Sequence, residues 1–155
     1  MVALVAGSLL AQDRTAQLRS RFVKETDPVR KARMVALLAD SEFREMHEKI
    51  DAGDLAAAAE IAGRVRDEAQ ASKKLLDAKS RDAESHPDGY KQLEISVRES
   101  MRRLDDIMVS LAKDEQAPLA EVRQDMDELD RQMIHQRLPK RPEAGPKTEP
   151  EQPKS

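Results

Sequence analysis

Three histidines are the side chains in this sequence that are best suited to bind a metal ion. They are His47, His86 and His135. A di-iron centre in a helical bundle takes Glu-x-x-His pairs from two helices, and no glutamate stands three residues before any of these histidines. A ferritin-like metal site is therefore not predicted.

His47 also begins a second metal-binding pattern without completing it. A zincin helix carries His-Glu-x-x-His, and here His47-Glu48 is followed by Asp51 at the position of the second histidine. Because His47 and Asp51 are one turn apart on a helix face, we expect a surface pair rather than a zinc site. His86 falls in a turn and His135 near a helix end, and neither has an evident partner.

A short acidic run, Asp125, Asp127, Glu128 and Asp130, is the second candidate for metal binding. A calcium-binding EF-hand loop alternates its ligands and needs a glycine at its centre, whereas this run lies within a helical pattern. Its carboxylates would project in several directions around the helix. We therefore interpret the run as a solvated face.

The familiar catalytic motifs are missing from the sequence. There is no cysteine, which excludes disulfides, thiolate catalysis and thiolate zinc sites. No nucleophile elbow, phosphate-binding glycine loop or dinucleotide fingerprint is present. We predict that the protein is not an enzyme and has no catalytic, cofactor-binding or metal-binding residues.

The charges of the chain argue against a nucleic-acid partner. Its 155 residues carry 27 basic and 30 acidic side chains, for a formal net charge of −3. Binding to a phosphate backbone requires a basic surface, which this balance does not give. Balanced charge instead indicates solvated helix faces with ion pairs one turn apart. Pairs with this spacing include Glu94–Arg98, Glu99–Arg103 and Arg102–Asp106.

The elements that carry these side chains are predicted to be helices. Only Phe22, Phe43 and Tyr90 are aromatic, so small and aliphatic side chains must form the core, which suits helix–helix packing. Apolar residues recur in steps of three and four, which is the period of a helix stripe. The first long stripe is Val29, Ala32, Ala36, Ala39, Phe43, Met46 and Ile50. The second is Leu55, Ala58, Ala62, Val65, Ala69, Ser72 and Leu76, on a helix that continues to about residue 83. The third is Tyr90, Leu93, Val97, Met101, Leu104, Met108 and Leu111, and the fourth is Leu119, Val122, Met126, Leu129 and Met133.

Proline, glycine and aspartate mark where these helices begin and end. Asp27-Pro28 is an N-cap followed by proline in the first helical position. Gly53-Asp54 ends one helix and caps the next. Residues 85–89, Ser-His-Pro-Asp-Gly, predict a turn. A shorter helix over about residues 13–25 precedes these elements, with Leu18 and Phe22 facing inward.

The predicted fold class is all-α: an antiparallel bundle of about four long helices plus a short N-terminal helix, over residues 12–138. Alanines on the first two long helices should allow close approach; they are Ala32, Ala36, Ala39, Ala58, Ala62 and Ala69. We expect leucine at either Ala36 or Ala62 to overpack this seam.

The two end segments differ from the helical part. Residues 1–11 read MVALVAGSLLA, which predicts the end of a secretory signal peptide with cleavage after Ala11; the alternative is a helix turn that packs on the core. A transmembrane span is not predicted, since it requires about 20 apolar residues. Residues 139–155 contain five prolines and one aliphatic side chain, Ala144, which predicts a disordered Pro-rich tail.

Several motifs between residues 20 and 138 carry a resemblance to a known group of proteins. They are Asp27-Pro28 at a helix start, Gly53-Asp54 at a turn, Lys91-Gln92-Leu93-Glu94-Ile95 and Arg102-Arg103-Leu104-Asp105-Asp106. In these the chain resembles a group of uncharacterised, exported bacterial helical proteins known only as domains of unknown function. The resemblance implies an extracytoplasmic setting and no known activity, and it assigns no functional residue.

The turn that begins at Gly53 also looks like half of a tetratricopeptide repeat. It reads Gly53-Asp54-Leu55-x-x-Ala58. A repeat array would show the turn again after about 34 residues, and it does not recur. A single αα-hairpin is the more economical interpretation.

The predicted function is that of a non-catalytic exported helical domain, periplasmic or secreted, which acts on a protein partner as a scaffold or regulator. One alternative is a cytosolic helical-hairpin adaptor that keeps residues 1–11 in its fold. Another is a periplasmic small-ligand or metal carrier or a holdase, favoured only by seven methionines. Met34, Leu37 and Leu38 beside the first stripe form a candidate interaction patch. The sequence leaves the oligomeric state open.

Overall fold

The structure, a computed structural model, describes residues 5–79 and 87–137, with side chains from residue 13 onward. The regular structure of these residues consists of helices α1 (Val5–Lys24), α2 (Pro28–Asp51), α3 (Leu55–Lys79), α4 (Pro87–Ser110) and α5 (Ala117–Arg137). This confirms the predicted all-α class. The described helices include none with the length and apolar character needed to cross a membrane. Two predictions lie outside the described residues. One is the disordered tail at 139–155, and the other is the extension to about residue 83 of the helix that carries the second stripe.

The predicted helix caps are confirmed. The Asp27 side chain accepts a hydrogen bond from the Arg30 backbone N–H at 2.7 Å, and Asp54 accepts one from the Ala57 N–H at 3.1 Å. Between them Gly53 has a φ of +74°, a conformation that glycine adopts without the steric cost of a Cβ. These contacts satisfy backbone groups that the helix ends would leave unpaired.

Two helix starts differ from the prediction. The first helix begins at Val5 rather than near residue 13, so it is a long element. Pro87 begins α4, and Gly89 is buried in its first turn, whereas the sequence pattern predicted a turn over residues 85–89. The reason is that proline is favoured in the first turn of a helix as well as in turns, because its missing N–H would be unpaired there anyway.

The long helices form two antiparallel hairpins, α2–α3 and α4–α5, that lie side by side. Gly89 lies next to Val29 and Arg103 pairs with Asp40 at 2.6 Å, so α2 and α4 run in the same direction. The helices α3 and α5 are likewise parallel neighbours, while α2 and α5 do not pack together in the described part. The predicted bundle is therefore present, with antiparallel neighbours along the chain and parallel neighbours between hairpins.

The predicted stripes supply most of the core, but the first one is rotated. Buried positions of α2 include Val35 and Leu38, whereas Ala36 is exposed. Because α2 packs against α1, α3 and α4, its buried face is wider than a two-neighbour stripe and is centred differently. The expectation that Ala36 lies in the α2–α3 seam is wrong. Ala62 is buried with no exposed surface, as its place in the second stripe predicts.

The substitution Ala62→Leu is expected to lower the free energy of unfolding by about 1–3 kcal/mol, because the buried seam has no space for three more carbons. The matched substitution Ala36→Leu should change it by no more than about 0.5 kcal/mol, since that side chain is exposed. Urea unfolding followed by circular dichroism measures both. Equal losses in the two variants would show that the buried face of α2 has been misassigned.

Candidate functional site

The structure does not bring the predicted metal-binding candidates together. His47 and His135 are exposed, and His86 lies outside the described residues. Within residues 13–79 and 87–137, no group of three or more histidine, aspartate or glutamate side chains is placed to hold a metal ion.

The acidic run of α5 is ion-paired rather than simply solvated. Asp125 pairs with Arg66 of α3 at 3.0 Å, and Asp127 pairs with Arg131. Asp130 is buried and accepts a hydrogen bond from Arg98. The interpretation as a solvated face is therefore wrong for Asp130, because α4 supplies an arginine that spacing along the chain does not reveal, whereas Asp125 and Asp127 stay partly exposed and Glu128 is exposed. The three predicted pairs on α4 are confirmed.

The candidate interaction patch does not form one exposed surface. Leu38 is 0% exposed and belongs to the core, Met34 is half-buried against the core, and only Leu37, at 56%, is largely exposed. The methionines that the structure describes pack within or against the core; they are Met34, Met46, Met101, Met108, Met126 and Met133. They therefore give no support to a methionine-rich holdase surface.

A groove that no sequence pattern predicted runs between α3 and α5. At one end it is a depression of about 180 Å³ whose floor is apolar. Its apolar lining comes from Leu55, Ala56, Ala58, Ala59, Leu111, Pro118 and Leu119. It continues past Gly63 and Val122. At Gly63 an added Cβ would meet only the Arg66 guanidinium, at 3.8 Å, so α5 does not cover this part of α3.

The rim of this end of the groove is acidic. Glu60, Asp114, Glu115 and Glu121 are exposed and line it, and in the described structure none of them forms an ion pair with a basic side chain. The two nearby arginines are engaged elsewhere. Arg64 pairs with Glu42, and Arg66 pairs with Asp125. We call this stretch, from Leu55 to Asp67 on α3 and from Leu111 to Val122 opposite, the acidic groove.

The second unusual feature is a charged cluster where α1, α2 and α3 meet. Arg19 of α1 donates to Glu42 of α2 at 2.6 Å and lies 3.5 Å from Glu68 of α3. Arg64 of α3 donates to the same oxygen of Glu42 at 3.2 Å and pairs with Glu45. We call these five residues the Glu42 cluster. The Glu42 side chain has 0% exposure, so its charge is balanced by protein groups rather than by water.

Glu68 is a proton-binding group within this cluster. Burial raises its pKa to about 8, and the charge of nearby Glu42 adds to the effect, while Arg19 opposes it. Glu68 therefore carries a proton at neutral pH, and its carboxyl can hydrogen-bond to the carboxylate of Glu42. The positive charges of Arg19 and Arg64 are then balanced by the negative charges of Glu42 and Glu45.

The sequence carries a signal for this cluster that the predicted stripes do not include. Glu42 continues the steps of Val35 and Leu38, and Glu68 continues those of Ile61 and Val65. A glutamate at an apolar stripe position indicates a buried charge, which needs a partner. The identity of the partner could not be predicted, because Arg19 stands 23 residues from Glu42.

Comparison with known proteins identifies no relative of this chain. No protein-family model matches it, and no curated protein or solved structure gives a significant match. The fold and site define a class only: an all-α protein of stacked helical hairpins with an open acidic groove and a buried charged cluster.

Proposed function

We propose that this protein is a non-catalytic scaffold or regulator that binds a segment of a partner protein in the acidic groove. The observation that supports this most is the groove itself, which combines an apolar floor with acidic side chains that form no ion pair within the described residues. An apolar surface left open between two helices is typical of a protein-binding site.

The partner that fits this groove is a basic amphipathic helix. Helix-in-groove binding places apolar side chains at steps of three and four on the floor, and the small residues Ala56, Ala59 and Gly63 permit close approach. Lysine or arginine on the flanks of the partner would face Glu60 and Glu121. From Leu55 to Asp67 the groove follows α3 for about 18 Å at a rise of about 1.5 Å per residue, which accommodates about three helical turns.

The proposed setting is extracytoplasmic, in the periplasm or secreted. It is supported by the apolar composition of residues 1–11 and by the resemblance to exported helical proteins. The cytosolic hairpin adaptor is the second candidate, and the side-by-side stacking of two hairpins favours it. The acidic groove would serve a protein partner in either compartment.

Charge reversal at the rim should weaken binding of a basic helix. The probe is a synthetic amphipathic peptide of about 15 residues with leucine on one face and lysine on the others, titrated into isotopically labelled protein and followed by NMR. We expect shifts in the amides of Ala56, Ala59 and Leu119. The double variant Glu60→Lys/Glu121→Lys should raise the Kd by about tenfold or more, because like charges then face each other.

The matched control is Glu48→Lys, an exposed glutamate of α2 outside the groove, which should leave the Kd within about twofold because its charge is distant and screened. A second control is the same peptide with glutamate in place of lysine, which should not bind. Shifts confined to other helices, or equal binding of the acidic peptide, would contradict the proposal.

A further inference from the structure

From residue 13 onward, where its side chains are described, the first helix contacts the other helices through a small set of side chains. Among its described residues only Thr15 and Phe22 are buried, with Leu18 partly buried. Thr15 shares a hydrogen bond with Ser41 of α2, and the Lys31 ammonium lies 4.5 Å from the centre of the Phe22 ring. Within residues 13–24, burial of so few apolar groups stabilises docking only modestly, so the polar contacts have a large share in holding this part of α1.

Arg19 is the residue of α1 that joins both other helices of the Glu42 cluster. Its guanidinium contacts Glu42 and Glu68. The charged groups facing Glu68 are Arg19 from α1 and Glu42 from α2, with Glu45 and Arg64 completing the cluster. The helices α4 and α5 pack on other faces of α3, and in the described structure neither forms an ion pair with Glu68. The state of Glu68 therefore acts directly on the attachment of α1.

We propose that the Glu42 cluster is a proton-controlled latch, which holds α1 against α2 and α3 while Glu68 is protonated and loosens α1 when Glu68 ionises.

The argument rests on the geometry of two carboxyl groups in one buried site. With one shared proton, Glu42 and Glu68 can both be satisfied while α1 is docked; one Glu42 oxygen otherwise has no hydrogen-bond partner in the described structure. Loss of the proton places a second negative charge beside Glu42 away from water, which is unfavourable. Undocking of α1 would admit water to Glu68 and remove that cost.

The direction of the pH effect follows from proton linkage. When α1 is docked, burial and the charge of Glu42 raise the pKa of Glu68 to about 8, although Arg19 lowers it. Undocking of α1 removes Arg19 but admits water, and because burial is the largest influence, we expect the pKa of the carboxyl to fall towards its ordinary range. The docked form therefore binds the proton more tightly. Docking is strongest below the ordinary glutamate pKa, weakens as the pH rises towards 8, and then levels off.

Hydrogen exchange of the full chain, measured by mass spectrometry from pH 5 to pH 9, tests the latch. Each peptide's exchange rate is divided by its intrinsic rate at the same pH. The protection of α1 should fall with pH, by up to about tenfold per unit as expected for release of one proton, and should level off above pH 8. The protection of α4 and α5 should not follow it.

The variant Glu68→Gln removes the titrating group, and we expect its α1 protection to be independent of pH. The matched control Glu45→Gln, in the same cluster, should keep the slope. The variant Arg19→Gln disconnects α1 from the carboxyl pair and should show weak protection of α1 with no slope. A flat profile in the parent protein, a parallel loss in α4 and α5, or an unchanged slope in Glu68→Gln or Arg19→Gln would overturn the proposal. None of these outcomes depends on peptide binding in the acidic groove.

Discussion

The substitution Leu38→Ala is expected to lower the free energy of unfolding by about 2–5 kcal/mol. Leu38 has 0% exposure and is among the largest fully buried side chains of the described core. Truncation would remove apolar contacts and leave a cavity that close-packed neighbours fill only in part. Urea unfolding followed by circular dichroism at 222 nm gives the free energy and the slope with denaturant.

The neighbouring residue provides a matched control. Leu37 is 56% exposed, so Leu37→Ala should change the free energy of unfolding by no more than about 0.5 kcal/mol. A large loss for Leu37 together with a small one for Leu38 would mean that α2 is rotated relative to the structure. It would also restore the exposed patch that the sequence predicted around Leu38.

The contrast between Leu37 and Leu38 shows what apolar periodicity can and cannot predict. A period of 3.6 residues identifies an element as a helix, and the apolar residues of α2 to α5 follow this period. The orientation of each helix depends on where its neighbours lie. The predicted stripes of α3, α4 and α5 agree with their buried faces, whereas α1 packs on α2 in addition to α3 and α4, and the buried face of α2 includes Leu38 and the charged Glu42.

The acidic groove and the Glu42 cluster could not be derived from spacing along the chain. Both arise where helices distant in sequence meet. The groove exists because α3 and α5 lie side by side without close packing near Gly63, and no local pattern predicts that arrangement. The glutamates of the cluster were visible as polar residues within apolar stripes, but the arginines that balance them are on other helices.

The substitution Gly89→Val is expected to lower the free energy of unfolding by about 3 kcal/mol, at the upper end for overpacked cores. An added Cβ at this position would lie 2.6 Å from the Leu76 Cδ2 atom and 3.5 Å from the Val29 Cγ2 atom. Leu76 is itself fully buried, so it has little freedom to move aside. Gly89 is thus the point of close approach of α4 to both helices of the other hairpin.

The matched substitution Gly63→Val separates this steric effect from the general effect of placing valine in a helix. At Gly63 the nearest atom to an added Cβ is 3.8 Å away, and valine has a slightly higher helix propensity than glycine. We therefore expect the free energy of unfolding to change by no more than about 0.5 kcal/mol, or to rise slightly.

The Gly89 and Gly63 variants together also decide between two structures for residues 87–89. In an exposed turn, as the Pro-Asp-Gly pattern predicted, valine at position 89 would meet no buried side chain and would cost little. A loss of about 3 kcal/mol at Gly89 with none at Gly63 requires that α4 begins at Pro87 and packs against Leu76.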